Sequence, residues 1–344
     1  VIPTGIDHGT VTVLWKGESF EVTTLRGEGL YSDGRRPDQV VFVGDIDQDL
    51  ARRDFTVNAI AYDPVDGTIA DPFGGLEDMK KKVLRAVGTP SERFSEDGLR
   101  ILRGARFAAT LEFELEAETE AAFRGALDTF RKVSPERVRE EWLKTMKASK
   151  PSRAFEVMRR TGILEVTYPE LLEQVGCEQN KWHAYDVWNH TMRVLDESEG
   201  GPVERVAALL HDVAKPRTRA HSDKTNDWTF YHHEKVGADM ADHWLRAYRF
   251  SNEEREMITA LIRHHLICYS SEWTDAAVRR FIRRVGPELL DDLFTLRDAD
   301  AAASGSDLGW RRLTGELRRR VGEELRAPAG GFTAGLAIGG HEVM

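Results

Sequence analysis

The sequence contains little cysteine, no long apolar run and no excess of positive charge. Its two cysteines, Cys177 and Cys268, form neither a CxxC pair nor a disulfide framework, which is typical of a reducing cytoplasm. No apolar stretch approaches the roughly 18 residues of a membrane span, and no signal peptide is visible, so we expect a cytoplasmic protein without membrane contact. The formal net charge of −10 argues against indiscriminate binding of polyanions, although it is compatible with a local basic groove.

Length and composition predict a chain of two or three domains that is mainly α with a small α/β part. The 344 residues are 41% hydrophobic and 31% charged, which is enough for apolar cores. Segments 10–15 and 20–25 are rich in β-branched residues and predict a hairpin, whereas the chain is helical in pattern from Glu77 onward. The expected divisions are 1–80, 81–175, 176–305 and 306–344. The chain begins without methionine, and a new element is just starting where it stops, so we expect both ends to be cut from a longer protein.

The stretch from Glu96 to Phe107 predicts a helix with one charged face. Asp97, Arg100, Arg103 and Arg106 follow one another at three-residue steps, so they share a side of the helix. Arginine presents several donors in a planar fork that suits phosphates and base edges, and a carboxylate accepts from an exocyclic amine. The alternative is an amphipathic helix whose polar face is merely solvated. The opposite face is apolar and contains Ile101, Leu102, Ala105 and Ala108.

A second charged group lies in segment 49–62, which also predicts a helix. Arg53, Asp54 and Asn58 fall within about a turn of one another. Arginine can hold phosphate, and the shorter polar side chains can hold ribose hydroxyls; an ordinary surface helix is the alternative. Residues 71–75, Asp-Pro-Phe-Gly-Gly, predict a turn whose glycines would allow the backbone to pass close to a ligand.

Five blocks occur in an order that resembles the class II tRNA nucleotidyltransferases, the family of the CCA-adding enzymes and bacterial poly(A) polymerases. The blocks are ARRDFTVNAIAYD, DPFGG, LRAVG, ERFSEDGLRILRGARFAA and SPERVREE, and the resemblance covers residues 4 to about 165. It implies a polymerase-beta-like nucleotidyltransferase head followed by a helical neck and body. In this family the neck holds a protein template that selects CTP or ATP for addition to a tRNA 3′ end.

The resemblance also implies roles for individual residues. Asp97 and Arg100 fall on the template pair, and Arg103 and Arg106 fall on nucleotide-contacting arginines of the same helix. The group Arg53, Asp54 and Asn58 falls on the block that holds phosphate and ribose. Residues 31–37 resemble a flexible loop whose presence implies competence to add the terminal A.

One part of the family pattern is not found in the sequence. The resemblance implies Mg²⁺ held by a D-x-D pair ahead of the flexible loop, whereas Asp45-Ile46-Asp47 follows it and is interpreted as a different pair. We therefore expect most Mg²⁺ ligands to lie outside this chain, and its polymerase activity to be lost. Glu21 is a candidate third catalytic carboxylate, with an outward-facing strand residue as the alternative.

The second half of the chain contains an ordered series of histidines and aspartates. His190 opens it, and an apolar helix runs directly into His211-Asp212; the pairs 232–233 and 264–265 and then Asp298 and Asp300 follow. Imidazoles together with carboxylates suit Mn²⁺, Fe²⁺, Co²⁺, Ni²⁺ or Zn²⁺. The alternative for any single histidine is a satisfied core or surface residue, but the ordered series favours a metal site.

This series resembles the HD phosphohydrolase superfamily, which implies an all-α HD domain. His190, His211, Asp212 and Asp298 fall on its four-ligand pattern, with Asp298 preferred over Asp300. His233 and either His264 or His265 fall where members with two metals place further ligands, and His264 is the residue we select. Lys215 falls on a position that can neutralise phosphate. The implied activity is hydrolysis of phosphomonoesters and 2′,3′-cyclic phosphates with Ni²⁺ or Mn²⁺, with His211 and Asp212 at the catalytic centre.

The combined interpretation is a CCA-adding nucleotidyltransferase with an associated HD phosphohydrolase. Its partners would be the tRNA 3′ end, CTP and ATP, and its oligomeric state stays open. Alternatives are a poly(A) polymerase, an HD phosphohydrolase whose N-terminal half only docks RNA, and a nucleotide sensor without chemistry. Arginine-rich stretches at 279–284 and 311–320 could hold tRNA phosphates or be solvated faces.

Overall fold

The computed structural model describes residues 1–5, 9–27, 42–181, 184–304 and 309–327. It divides into two compact units, Val1–Leu172 and Glu173–Met344. The expected divisions inside these units remain predictions. The predicted flexible loop at 31–37 and the C-terminal segment 336–344 lie outside the described residues.

The first unit begins with a three-stranded antiparallel sheet of β1 (Ile2–Gly5), β2 (Thr10–Trp15) and β3 (Glu18–Thr23), in the order β1-β2-β3. The predicted hairpin is present, and its strands pair from Thr10 opposite Thr23 to Trp15 opposite Glu18. The connection is only two residues long. Lys16 and Gly17 both have positive φ, 50° and 86°, which matches the twist of a tight hairpin.

The single helix expected over 49–62 is wrong. The chain instead forms α1 (Ile46–Ala51) and a 3₁₀ turn at Thr56–Asn58. Between them the Asp54 carboxylate accepts from the Phe55 backbone N–H at 2.9 Å, and the Thr56 N–H donates to the Arg85 carbonyl at 2.9 Å. These bonds give the backbone partners outside a helix, so the helix ends.

Short strands and one helix follow: β4 (Ala61–Tyr62), β5 (Ile69–Ala70), α2 (Gly75–Lys81) and β6 (Val83–Leu84). β4 pairs antiparallel with β5, and β6 pairs parallel with the later β7 (Glu114–Leu115). The predicted close approach at the double glycine is present, but its neighbour is protein. A Cβ on Gly75 would lie 2.2 Å from the Thr56 carbonyl oxygen, so only glycine fits there.

The rest of the first unit is helical. Its helices are α3 (Pro90–Glu96), α4 (Leu99–Thr110), α5 (Ala117–Gly125), α6 (Leu127–Phe130), α7 (Pro135–Thr145), α8 (Ser152–Thr161) and α9 (Ile163–Thr167). The helix predicted to start at Glu96 starts at Leu99, because Asp97 is extended and its carboxylate accepts from the Leu99 N–H at 3.0 Å. The predicted apolar face of α4 is buried in the unit's core, beside α7 and α8.

Within the described residues, the second unit contains eight α-helices, a short 3₁₀ helix at Pro287–Leu289 and one two-stranded hairpin. The helices are α10 (Val187–Glu197), α11 (Pro202–Leu210), α12 (Lys215–Thr218), α13 (His233–Ala247), α14 (Asn252–His264), α15 (Asp275–Val285), α16 (Leu290–Ala303) and α17 (Trp310–Arg326), and the hairpin joins β8 (Ala220–Ser222) to β9 (Asp227–Thr229). The predicted fold class, mainly α with a small α/β part, is confirmed. In the described parts of the chain, no helix combines the length and apolar character that crossing a membrane requires.

Candidate functional site

A cavity of about 480 Å³ in the first unit collects most of the predicted nucleotide-binding residues. Six of the seven line it, and Arg106 does not. Four further residues that sequence reasoning did not select also line it. The complete lining is Arg52, Arg53, Asp54, Asn58, Asp97, Leu99, Arg100, Arg103, Phe107 and Arg137.

Asp54 joins the segment after α1 to helix α4. Its carboxylate accepts from Arg103 Nε at 2.7 Å and from Asn58 Nδ2 at 3.0 Å. Burial alone would raise the pKa of Asp54, but the charge of Arg103 and these hydrogen bonds outweigh it and hold the pKa below its usual value. Asp54 is therefore an anion that fixes Arg103 and Asn58 at the cavity wall.

The proposed template pair is held by protein groups on either side. Arg137 donates to both Asp97 oxygens, at 2.6 and 3.3 Å. Arg100 is buried and donates to the carbonyls of Arg93 at 2.6 Å and Arg52 at 3.0 Å, and it also pairs with Glu96. Both side chains thus have fixed orientations at the cavity.

Two predicted site residues lie elsewhere. Arg106 donates to Glu141 at 2.5 Å and covers the Phe107 ring at 3.9 Å, so its guanidinium binds the helix α7 side. Glu21 is exposed on β3 opposite Thr12 and is not among the residues that line the cavity. Arg137 was missed as a site residue, although it lies within the quoted block SPERVREE.

The second unit brings six buried histidine and aspartate side chains together. They form two groups, and within each group one ligand atom from every residue lies within 4.8 Å of the others. Each residue is at most 9% exposed, which is unusual for such polar groups. The groups are His190, His211 and Asp300, and Asp212, His233 and His265.

Three of these imidazoles are oriented by the same local bond. Nδ1 of His211, His233 and His265 lies 2.8, 2.7 and 2.7 Å from the carbonyl oxygen three residues earlier in the chain. Only a protonated Nδ1 can donate to a carbonyl, so the neutral ring carries its lone pair on Nε2. In all three rings Nε2 points toward the Asp212 carboxylate, which is the arrangement of metal-binding histidines with an outer hydrogen bond.

The Asp212 carboxylate lies between the two groups. Oδ2 is 3.1 Å from His211 Nε2, and Oδ1 is 3.3 Å from His233 Nε2. Within the part of the chain that the structure describes, His211 Nε2 and Asp212 Oδ1 are buried without a well-oriented hydrogen bond. Such orphaned atoms are rare in proteins, and a bound cation would satisfy them. The residues present therefore fit one or two divalent metal ions.

The charge states also suit a metal. Burial would raise the pKa of Asp212, but His211 and Lys215 outweigh it and hold the pKa well below the usual range. The pKa of Asp300 is also held well below its usual range, because the contact with His190 at 3.1 Å outweighs the effect of burial. Burial, together with His211 and His233, lowers the pKa of His265 to about 3, so this ring is neutral at neutral pH. Asp212 in turn outweighs burial and raises the pKa of His211, so a metal ion would compete with a proton for this ring. Anionic carboxylates and neutral imidazoles are the forms that bind divalent transition metals.

The aspartate of helix α16 that lies among the possible metal ligands is Asp300, and the prediction of Asp298 is wrong. Asp298 is on the outer side of α16, where its carboxylate accepts from Arg318 at 2.8 Å. Two positions along a helix correspond to about 200°, so Asp300 faces the opposite side and reaches His190. The spacing of Leu293, Leu296, Asp300 and Ala303 is the signal that identifies Asp300, since it occupies a core position of this helix.

The structure also places His265, not His264, in the centre. His264 is half-buried, and burial with the neighbouring Arg284 and Arg263 lowers its pKa. His265 continues the buried series Ile258, Leu261 and Ile262 at helical spacing, so the same signal identifies it.

A pocket of about 580 Å³ opens onto this centre. One part of the pocket wall is formed by four of the possible metal ligands, Asp212, His233, His265 and Asp300. The cationic side chains of Lys215 and Arg297 line the pocket next to these ligands. Much of the remaining lining is aromatic: Trp228, Phe230, Tyr231, Tyr269 and Trp310. The pocket thus offers charge to a phosphate and flat apolar surface to a ring system.

Three family models match the chain in the order of these regions. The "Poly A polymerase head domain" matches residues 1–85, and the "HD domain" matches residues 183–304. Between them, "Probable RNA and SrmB- binding site of polymerase A" matches residues 112–174.

Curated proteins and solved structures agree with these matches. The CCA-adding enzyme of Lactobacillus johnsonii is 46% identical over 193 residues, which are 53% of this chain and 48% of that protein. The CCA-adding enzyme of Listeria monocytogenes is 43% identical over 195 residues, 57% of this chain and 48% of that protein. The chain therefore spans about half the length of the curated relatives that it matches.

A solved structure of the Bacillus stearothermophilus CCA-adding enzyme in complex with CTP resembles the chain with a TM-score of 0.64 and 27% identity. The match covers 94% of this chain and 68% of that one. A CCA-adding enzyme solved with ATP shares the fold at a TM-score of 0.59 and 19% identity, over 99% of this chain and 72% of that one. The three domain matches in this order, with these relatives, show that the chain is similar to the CCA-adding enzymes in its polymerase head region and matches the HD domain in its second half.

Proposed function

We propose that the first unit selects the nucleotide for CCA addition to a tRNA 3′ end, with CTP and ATP as substrates and without a nucleic-acid template. The observation that carries this proposal is the cavity in which six of the predicted nucleotide residues converge. Support also comes from the relatives, which are CCA-adding enzymes, one of them solved with CTP.

Each cavity residue has a role that its chemistry permits. Asp97 accepts from an exocyclic amine and Arg100 donates beside it, so the pair tests the edge of the incoming base. Arg53 and Arg103 supply cations to the triphosphate, and Asn58 contacts the ribose. Arg137 and Glu96 keep the pair in one orientation before the nucleotide arrives.

Nucleotidyl transfer of this kind uses Mg²⁺, which neutralises the triphosphate and activates the primer hydroxyl. The cavity carboxylates do not fit as its ligands, because neither Asp54 nor Asp97 belongs to a group of three possible ligand atoms among the described residues. Among the described residues, both groups that could hold a metal lie in the second unit. We therefore assign nucleotide selection, and no transfer step, to these cavity residues.

We propose further that the second unit hydrolyses phosphomonoesters and 2′,3′-cyclic nucleotides with Ni²⁺ or Mn²⁺. The orphaned buried atoms of His211 and Asp212 support a bound metal, which would activate water for attack on phosphorus. The metal would be held by the two groups of buried ligands, His190, His211 and Asp300, and Asp212, His233 and His265. Lys215, with its Nζ 2.7 Å from Asp212 Oδ2, would bind a non-bridging phosphate oxygen and neutralise its charge.

One paired assay tests both proposals. The chain is incubated with tRNA lacking its CCA end, CTP, ATP and Mg²⁺, and separately with a 2′,3′-cyclic nucleotide and Ni²⁺ or Mn²⁺. We expect hydrolysis of the cyclic phosphate and no extension of the tRNA, and a separate titration of the chain with CTP and with ATP should show binding. Absence of hydrolysis at every metal tested would refute the second proposal, and absence of nucleotide binding would refute the first. Extension of an unrelated RNA with ATP alone would favour a poly(A) polymerase.

A further inference from the structure

We propose that Tyr231 is a specificity-determining residue of the second unit, and that its ring stacks on the base of a nucleoside phosphate whose phosphate faces the metal centre. The inference rests on the phosphohydrolase function proposed above. It starts from the pocket of about 580 Å³, which has one charged side and one aromatic side.

The charged side fixes where a phosphate lies. Lys215 Nζ is held between Asp212 Oδ2 at 2.7 Å and Gln179 Oε1 at 2.6 Å. Arg297 Nη1 donates to Asp300 Oδ2 at 2.6 Å. Both cations are nearly buried and stand beside carboxylates of the metal centre, so a phosphate here meets two fixed donors.

The remaining pocket is larger than a phosphate needs and falls within the size range of small-molecule sites. Its aromatic side suits a flat ring, because stacking of a base on an aromatic side chain stabilises binding. A nucleoside phosphate is therefore a better fit than phosphate alone. Stacking tolerates every base, so cytidine and adenosine phosphates should bind alike.

Four of the five aromatic rings already have protein neighbours that account for their positions. Phe230 is 9% exposed and packs in an apolar cluster, and Arg219 covers the Trp228 ring at 3.6 Å. The Tyr269 hydroxyl donates to Glu316 at 2.8 Å. The Trp310 ring has the Arg297 guanidinium 5.2 Å from its centre.

Tyr231 differs from these four rings. It lines the pocket, yet it is 74% exposed, and no hydrogen bond or ring contact holds it among the residues that the structure describes. A large aromatic side chain at the opening of a charged pocket offers a free face to a ligand ring.

The backbone beside Tyr231 supports the same role. His232 has φ 66°, a left-handed conformation that is strained in a non-glycine residue. Its neighbours face opposite environments, since His233 is buried in the metal centre and Tyr231 is exposed. The strained residue thus allows one turn to supply both a metal ligand and an aromatic surface of the same pocket.

Isothermal titration with adenosine 2′-monophosphate tests the inference, since any binding in the cavity of the first unit is common to the wild type and to the Tyr231 variants. Tyr231→Ala should weaken binding about tenfold, whereas Tyr231→Phe, which keeps the ring, should stay within about twofold of the wild type. Ribose 5-phosphate, which has no base, should bind both variants equally. Tyr62→Ala is the matched control, because Tyr62 is an aromatic residue 63% exposed in the first unit.

Unchanged binding of the nucleotide by Tyr231→Ala would overturn the inference, as would an equal loss for ribose 5-phosphate. The underlying function is tested separately by phosphate release. Ring-dependent binding without hydrolysis would refute the phosphohydrolase and leave the stacking role standing. Hydrolysis with the same KM for nucleoside phosphates and ribose 5-phosphate would refute the stacking role alone.

Discussion

The two sites treat charge in opposite ways. In the cavity of the first unit, Asp54 and Asp97 each have an arginine partner within 2.7 Å. In the second unit, lone pairs of buried imidazoles converge on Asp212, and His211 Nε2 and Asp212 Oδ1 have no oriented hydrogen bond among the described atoms. The carboxylates of the second site also have cationic neighbours, Lys215 and Arg297, but this site keeps buried polar atoms that a bound metal ion would satisfy.

This contrast determines what each site can do. Paired side chains hold a fixed pattern of donors and acceptors, which suits discrimination between bases. A converging set of lone pairs repels itself until a metal binds, so metal binding also stabilises the folded unit.

Replacing His211 by alanine should abolish the hydrolytic activity of the second unit. Loss of an outer partner of a metal ligand costs about 10- to 100-fold, and loss of a ligand itself should exceed that. Phosphate release from a 2′,3′-cyclic nucleotide measures the effect, and CTP binding should not change. A variant that loses CTP binding as well would show that His211 has a structural role.

Asp300→Asn should lower the metal content of the purified chain, because Asp300 Oδ1 lies 3.1 Å from His190 Nε2 in the centre. Asp298→Asn is its matched control on the same helix, since Asp298 pairs with Arg318 at the surface. Metal analysis after exposure to Mn²⁺ or Ni²⁺ provides the measurement. Equal metal content in the two variants would contradict the assignment of Asp300.

Metal should also raise the thermal stability of the chain. At a metal concentration of 100 times the dissociation constant, linkage predicts a stabilisation of about 2.7 kcal/mol. Thermal unfolding with Mn²⁺ and with a chelator measures this difference. The gain should disappear in Asp300→Asn and persist in Asp298→Asn, and a gain in neither chain would argue against a metal centre.

Asp97→Ala and Arg100→Ala should reduce discrimination between CTP and ATP by about tenfold, the value of one good hydrogen bond to a charged group. The ratio of the two dissociation constants is the quantity to measure. Arg106→Ala is the control, because Arg106 binds Glu141 and does not line the cavity. Unchanged ratios in both test variants would remove the template assignment.

The smallest expected effect concerns acid stability. The pKa of Asp54 is lowered in the folded state, so its contribution is complete above the unfolded value of about 3.9 and is lost as pH falls toward the folded value. Between pH 7 and pH 3, Asp54→Asn should therefore lose less free energy of unfolding than the wild type. Asp128→Asn, at an exposed carboxylate, should behave like the wild type.

Local patterns predicted much of the fold and of both sites. Apolar spacing identified the buried face of α4, and β-branched runs identified the hairpin β2-β3. The sequence pattern mispredicted helix boundaries where a side-chain carboxylate accepts a hydrogen bond from the backbone. Asp54 binds the Phe55 N–H after the end of α1, and Asp97 binds the Leu99 N–H at the start of α4. The pattern also failed to select between neighbours such as His264 and His265, although the helical spacing of the core residues contained that information.

The sequence by itself determined the residue types, their order and the family resemblance, because the nucleotide blocks and the histidine-aspartate series are local in the chain. Only the tertiary structure decided which of those side chains meet. Arg103 reaches Asp54 across 49 positions, and His233 approaches His265 across 32. Such contacts depend on how helices pack, and packing is set by many weak, long-range interactions that no single motif contains.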